Sequence, residues 1–491
     1  MPELIAASAD LVSASDEVIA TIDLDHPGAR GVIEVEDPAT AEVIAEIPDM
    51  DADEALSAVA RAHEAGLAWA GTTTRQRADV LHRWYDLLVE HAEDIALLIS
   101  REMGKPLAEA RAEVVYGTDF VRWYAEEAVR PGGNYREAPT GTGRIITRRS
   151  PVGLSVLVTP WNFPLAMATR KIAPAIAAGC AAVIKPASLT PLTTCFVVQL
   201  ASRAGVPDDL VQVVTTNVPS EFSTAVLADR RVRKVSFTGS TGVGQVLLGL
   251  AAQNVLKSSM ELGGNAPLLV LDDADLDRAV DGAFAAKMRN GGQSCIAANR
   301  IYVQDGIADA FVEGLTRRFA EVRLGHGLGE GTTLGPLIDR RAVDQMKRLV
   351  ADATDRGARL LVGGNAPDAP GSFFEATVLD EVPLEAELVA SEIFGPVAAI
   401  QRFTRQDEAV RLANDTPFGL AGYVFTQDLD RAFAVADQLE TGLVGINQGV
   451  PSNAAAPFGG VKHSGLGREG SGEGLEEYQE IRFYNLAAAP S

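Results

Sequence analysis

The chain has 491 residues, of which 47% are hydrophobic and 22% charged. That is ordinary globular composition and excludes a disordered chain. With 43 Lys plus Arg against 66 Asp plus Glu, the formal charge is −23; nucleic acid and anionic membrane surfaces are expected to be repelled.

At about 150 residues per domain, the length predicts roughly three compact units. The opening MPELIAASADLVSASDEV has no basic start and no long apolar core, so it does not read as a signal peptide. Residues up to about 50 read as a short leader and then strands, with GVIEVEDPATAEVIAEIPDM predicting a hairpin. Residues 51–130 carry apolar positions at helical spacing behind an acidic start. PGGNYREAPTGTG then marks a boundary or excursion.

From Pro151 short apolar strands alternate with amphipathic helices: VGLSVLVT, PLAMATRKIAPAIAA, CAAVIKP, LTTCFVVQLASRAG, LVQVVTT, SEFSTAVLAD, RKVSFTGS and a helix from Gly242. This alternation predicts a doubly wound parallel sheet whose crevice holds a nucleotide. The longest apolar run, 172–184, is interrupted by Pro174 and Gly179 and is too short to span a bilayer. A second alternating block covers about 266–445, and LEEYQEIRFYN predicts one last strand. The six scattered histidines show no ligand spacing, so no metal site is expected. Cys180 and Cys195 lie in apolar patterns, nothing resembles a disulfide framework, and a cytoplasmic location is expected.

Two glycine strings compete for a cofactor role. GLGREG at 465–470 fits G-x-G-x-x-G literally, but no strand pattern precedes it and no βαβ unit follows, so it reads as a loop. TGSTGVG at 238–244 breaks the spacing, yet it follows a strand and opens a helix, the context that places pyrophosphate on a helix N-terminus. Gly239, Ser240 and Gly244 are the candidates. Cys295, in GGQSCIAANR, sits in a polar, glycine-flanked stretch suited to an accessible thiolate. Glu261 in MELGGN is a base or a solvated strand-end charge; Asn162 in VTPWNFP is an oxyanion donor or a turn residue.

TPWNFP, KPAS, FTGSTGVG, MELGGNAP, GQSC and EIFGP resemble, in order and spacing, the aldehyde dehydrogenase superfamily over nearly the whole chain. MATRK, KMRNGGQSC and PFGGVKHSGLGREG are most similar to the succinate-semialdehyde dehydrogenases, NADP-type. The resemblance implies an α/β aldehyde dehydrogenase fold: a doubly wound cofactor domain at 1–130 and 152–262, an α/β catalytic domain at 263–475, and a β bridging element for oligomerisation at 131–151 and 476–491. It implies a homodimer or homotetramer. It makes Cys295 the nucleophile, Glu261 the general base and Asn162 the oxyanion donor together with the Cys295 N–H. Thr159, Pro160, Trp161, Lys185, Glu392 and Phe394 join the glycine-loop residues around NADP or NAD.

Where NAD-preferring relatives often carry a glutamate, this chain has Ser188, so NADP is expected to be favoured and NAD usable. Arg170, Arg289 and Ser452 match the positions that hold the substrate carboxylate. Ala297 stands where many such enzymes carry a second cysteine, so no redox disulfide is expected at the nucleophile. The resulting expectation is oxidation of succinate semialdehyde, with glutarate or 2-oxoglutarate semialdehyde as alternatives, and far behind them a non-catalytic relative.

Overall fold

Capping chemistry sets the first helices of the chain, for which a computed structural model describes residues 4–24, 28–130 and 132–487. Asp51 and Glu54 satisfy each other's backbone N–H groups and start the helix Ala52–Ala70; Thr73 and Gln76 do the same for Thr74–Glu90. Ala92–Met103 ends at Gly104, whose φ of 90° is left-handed. Leu107–Glu127 completes the helical stretch. Ahead of it, Val32–Asp37 and Glu42–Pro48 pair as the expected antiparallel hairpin. One element went unread: Ala9–Ile19 is helical, but it buries only Ser15 and Val18, so its apolar period is faint.

The alternating block from Pro151 folds into a six-stranded sheet. Its order is Gly465–Leu466, Lys257–Glu261, Val232–Thr238, Leu154–Val158, Ala182–Lys185, Val211–Val213. All neighbours are parallel except the Gly465–Leu466 edge. The chain starts at Leu154–Val158, winds outward one way, then returns to pair Val232–Thr238 on the other side. That reversal opens a crevice at the carboxyl ends of those two strands, where ligands bind in open α/β sheets. Thr159 to Asn162 follow one strand and Gly239 and Ser240 follow the other.

A seven-stranded sheet follows, in the order Arg359–Val362, Thr377–Asp380, Val397–Phe403, Ala298–Gln304, Ala266–Val270, Ala421–Phe425, Leu443–Ile446. Only the Arg359–Val362 pairing is antiparallel. The last sheet is small and antiparallel: Gln479–Ala487 pairs along its whole length with Gly143–Pro151, which also pairs Tyr135–Glu137. Ile481, Phe483 and Leu486 on it are all at least half exposed. The tail expectation needs one correction, because Ser471–Glu476 is helical and the strand begins only at Gln479. GLGREG is likewise not a plain loop, since Gly465 pairs with Glu261 at the sheet edge. Among the described residues no helix is long and apolar enough to cross a membrane.

Candidate active site

A cavity of about 240 Å³ lies at the crevice, lined by strand ends of the six-stranded sheet and by the connections that flank strands of the seven-stranded one. Cys295, Glu261 and Asn162 meet there with Pro160, Trp161, Gly239, Ser240, Glu392, Phe394, Arg170, Arg289 and Ser452. Thr159, Lys185, Ser188 and Gly244 do not line it. Thr159 follows one strand and Lys185 ends its neighbour, the Thr159 N–H donating to the Lys185 carbonyl at 3.2 Å; Ser188 comes three residues after Lys185, and Gly244 lies in the helix Thr241–Gln253.

The loop that carries Cys295 is shaped by three consecutive left-handed residues, Asn290, Gly291 and Gly292, at φ 56°, 60° and 76°. This kink ends the helix Leu276–Met288 and turns the chain so that Cys295 faces the cavity before Ala298–Gln304 begins. Gly264, three residues after Glu261, lies against the loop; a Cβ there would sit 2.2 Å from the Cys295 carbonyl oxygen. The Cys295 thiol is pushed up to about 12 by burial and by the carboxylates of Glu392 and Glu261, with Arg170 opposing. Asn162 donates one Nδ2 proton to the Gln293 carbonyl at 3.0 Å. Its main-chain carbonyl accepts from Lys105 Nζ at 2.8 Å and from Asn290 Nδ2 at 3.0 Å. The backbone is thus held from two sides and the side chain by one bond, with one amide proton left over.

Glu261 is 2% exposed, and neither carboxylate oxygen accepts a hydrogen bond among the described residues. Burial and the nearby charge of Glu469 raise its pKa well above the ordinary value, against Arg170, Lys171 and Arg468. Glu469 goes the other way. Burial opposes its charge, but Lys171 and Arg170 outweigh burial and hold its pKa low. Arg170 Nε lies 2.6 Å from Glu469 Oε2, and Lys171 Nζ donates to Oε1. Lys171 also donates to Ser236 at 3.0 Å. Neither Glu469 nor Lys171 was read from the sequence. Glu469 sits inside the discarded GLGREG string, and a buried ion pair leaves no trace in hydrophobic periodicity.

The two arginines differ. Arg170 is 1% exposed and lies 4.4 Å above the Phe458 ring; its Nη1 reaches the Tyr116 hydroxyl at 3.4 Å. It also forms a buried ion pair with Glu469. Arg289 lies between the rings of Tyr116 and Phe163, at 5.2 and 5.0 Å, and has no ion pair among the described residues.

Around the cofactor positions, Gly244 packs on Leu262, where a Cβ would be 2.4 Å from Cδ2. Ser240 precedes the helix Thr241–Gln253 without using its hydroxyl as a cap, so that hydroxyl and the first helical N–H groups are available to an anion. Glu392 accepts from the Gly264 N–H at 3.1 Å, and burial pushes its carboxyl up to about 7. Phe394, at φ 54°, meets Trp161 edge-on at 5.4 Å. Lys185 Nζ reaches only the Pro186 carbonyl at 3.1 Å, and burial lowers its pKa to about 8.

The aldehyde dehydrogenase family pattern matches residues 26–484, and the chain belongs to that family. It is 50% identical over 452 residues to the 3-sulfolactaldehyde dehydrogenase of Pseudomonas putida, covering 92% of this chain and 93% of the relative. It is 49% identical to the succinate-semialdehyde dehydrogenase of Paenarthrobacter nicotinovorans, covering 91% and 99%. The glutarate-semialdehyde dehydrogenase of Pseudomonas aeruginosa is 48% identical, over 92% and 94%. Among solved structures, an NADP-dependent enzyme of Escherichia coli superposes with a TM-score of 0.93 at 45% identity, covering 94% and 96%.

Proposed function

We propose that this enzyme oxidises a short aldehyde carrying a terminal carboxylate, with succinate semialdehyde as the first candidate. The observation that carries the reading is Arg289, a cation on the wall of the cavity that contains Cys295, with no ion pair among the described residues and only the longer-range charge of Glu109 facing it. A buried carboxylate left unpaired costs several kcal/mol, and a guanidinium fork is the matching partner. Arg170 Nη1 and the Ser452 and Tyr116 hydroxyls supply further donors on the same wall. Glutarate semialdehyde is a second reading, favoured by the near-equal identity to the glutarate and succinate relatives.

In this reading Cys295, its thiol proton passed to solvent, attacks the aldehyde carbon as a thiolate. The free amide proton of Asn162 and the Cys295 N–H hold the oxyanion; losing one such donor typically costs about 100- to 1,000-fold. When bound, the nicotinamide supplies the hydride acceptor that turns the adduct into a thioester on Cys295. Glu261 then takes a proton from water, which hydrolyses the thioester and frees the thiol.

The residues fit a dinucleotide. The Gly239–Ser240 turn and the uncapped helix start suit pyrophosphate, Glu392 and Phe394 suit the nicotinamide end, and Lys185 suits the adenosine ribose. Ser188 leaves room for a 2′-phosphate, which favours NADP over NAD. The first parallel sheet with its helices is accordingly read as the cofactor unit and the second as the catalytic unit. The exposed apolar residues of Gln479–Ala487 support a homo-oligomer, and three free cysteines support a cytoplasmic setting. The test is reduced-cofactor absorbance with succinate, glutarate and uncharged four-carbon aldehydes, and a sulfonated one, each with NADP and NAD. A preference for butanal over succinate semialdehyde overturns the carboxylate reading.

A further inference from the structure

Arg170 occupies two sites at once. Its Nε is held by Glu469, while its Nη1 points to Tyr116, and Arg170 itself lines the substrate cavity. Glu469 in turn faces Glu261, and both carboxylates are buried. We propose, building on the carboxylate reading above, that Arg170 couples the substrate's anionic end to the general base: an anion in the cavity competes with Glu469 for one guanidinium. Arg170 is thereby a positioning residue for Glu469 as well as a wall of the substrate pocket.

The surroundings make the competition consequential. Glu469 is faced by Lys171 and Arg170 from the Pro164–Ala178 helix, by Lys234 from Val232–Thr238, and by the Tyr124 and Tyr478 hydroxyls. Glu261 is faced by Glu469, Arg170, Lys171 and Arg468, and lies near Cys295. Arg170 is the cation that faces both carboxylates and also borders the cavity. With little water to screen them, these charges interact strongly. A carboxylate drawn to Arg170 adds negative charge beside the Glu469–Glu261 pair and weakens the cation that offsets it. The proton affinity of Glu261 then rises while a charged acyl group is bound, making it a stronger base for the water step. An uncharged acyl group leaves the pair as it was.

Two measurements test this. The first follows wild-type turnover against pH with succinate semialdehyde and with butanal, in conditions where a burst of reduced cofactor shows that thioester hydrolysis limits. The base must be ionised, so activity is lost as pH falls. The acid-limb midpoint is expected about one pH unit higher for the carboxylated substrate, the size of effect a neighbouring like charge exerts. The second uses Glu469→Gln, which releases Arg170: KM for succinate semialdehyde falls about tenfold relative to KM for butanal, the worth of one charge-assisted hydrogen bond. A purely structural role for Arg170 moves neither readout. If wild type prefers succinate semialdehyde strongly yet the midpoints coincide, the coupling is overturned while the carboxylate reading stands, even where the variant folds poorly. If wild type does not discriminate the two aldehydes, the carboxylate reading itself fails.

Discussion

Arg289→Ala isolates the substrate's charged end from the chemistry. Arg289 makes no ion pair among the described residues; the buried Glu109, which it faces at longer range, keeps Lys105 and the Asn290 N–H when Arg289 is removed. What it gives up in the free enzyme is its contact with the Tyr116 and Phe163 rings at 5.2 and 5.0 Å, about 1–2 kcal/mol of stability for two cation–π contacts. In the complex it leaves a carboxylate short of its fork. Truncating one partner of a buried charged pair costs about 2–5 kcal/mol. Arg289 is only partly buried and other donors remain on the wall, so the low end applies. That is about 2–3 kcal/mol, or roughly 30- to 150-fold in kcat/KM at about 1.4 kcal/mol per factor of ten. Initial rates of cofactor reduction with succinate semialdehyde and butanal give the answer. The expectation is a KM effect of this size for the first and less than about twofold for the second. Equal losses for both aldehydes refute the assignment. Arg170→Ala is a poorer probe, because it also strips Glu469 of a cation, a change that costs about 3–5 kcal/mol in buried pairs.

Cys295→Ala abolishes oxidation while cofactor binding, followed by fluorescence quenching, stays near wild type; residual steady turnover excludes Cys295 as nucleophile. Asn162→Ala lowers kcat about 100- to 1,000-fold, with little change in cofactor affinity; a loss under tenfold removes Asn162 from the oxyanion role. The raised Glu261 carboxyl is protonated at pH values where an ordinary carboxylate is ionised, so the acid limb of the hydrolysis rate lies above the ordinary carboxylate range; a limb within that range contradicts the base assignment. Ser188→Glu shifts the ratio of kcat/KM values from NADP toward NAD, and an unchanged ratio removes Ser188 from cofactor selection.

Cys295, Glu261 and Asn162, which the structure brings to one cavity, and both large sheets were legible because their signals are local. A strand, a tight turn and a helix start can be read in RKVSFTGSTGVG, and the structure delivers Val232–Thr238 followed by Thr241–Gln253. Cys295 stood out because its polar, glycine-rich neighbours contrast with those of Cys180 and Cys195. What stayed hidden depends on approach across the fold. Glu469 lies 208 residues after Glu261 (469 − 261), yet the edge strand Gly465–Leu466 brings its segment against Glu261. Arg170 reads as a substrate arginine in sequence, but only three dimensions reveal that Glu469 shares it. The Ala9–Ile19 helix was missed for the opposite reason, since it buries too little to leave a pattern.

The central claim is a thioester on Cys295 that Glu261 helps to hydrolyse, and trapping it is the direct measurement. Glu261→Gln mixed with succinate semialdehyde and excess NADP should release one equivalent of reduced cofactor per active site and then stall. Intact-protein and peptide mass spectrometry of the quenched sample should find one succinyl group, carried on the peptide containing Cys295. Continued turnover at the wild-type rate, or a burst whose acyl group lies elsewhere or nowhere, contradicts the mechanism.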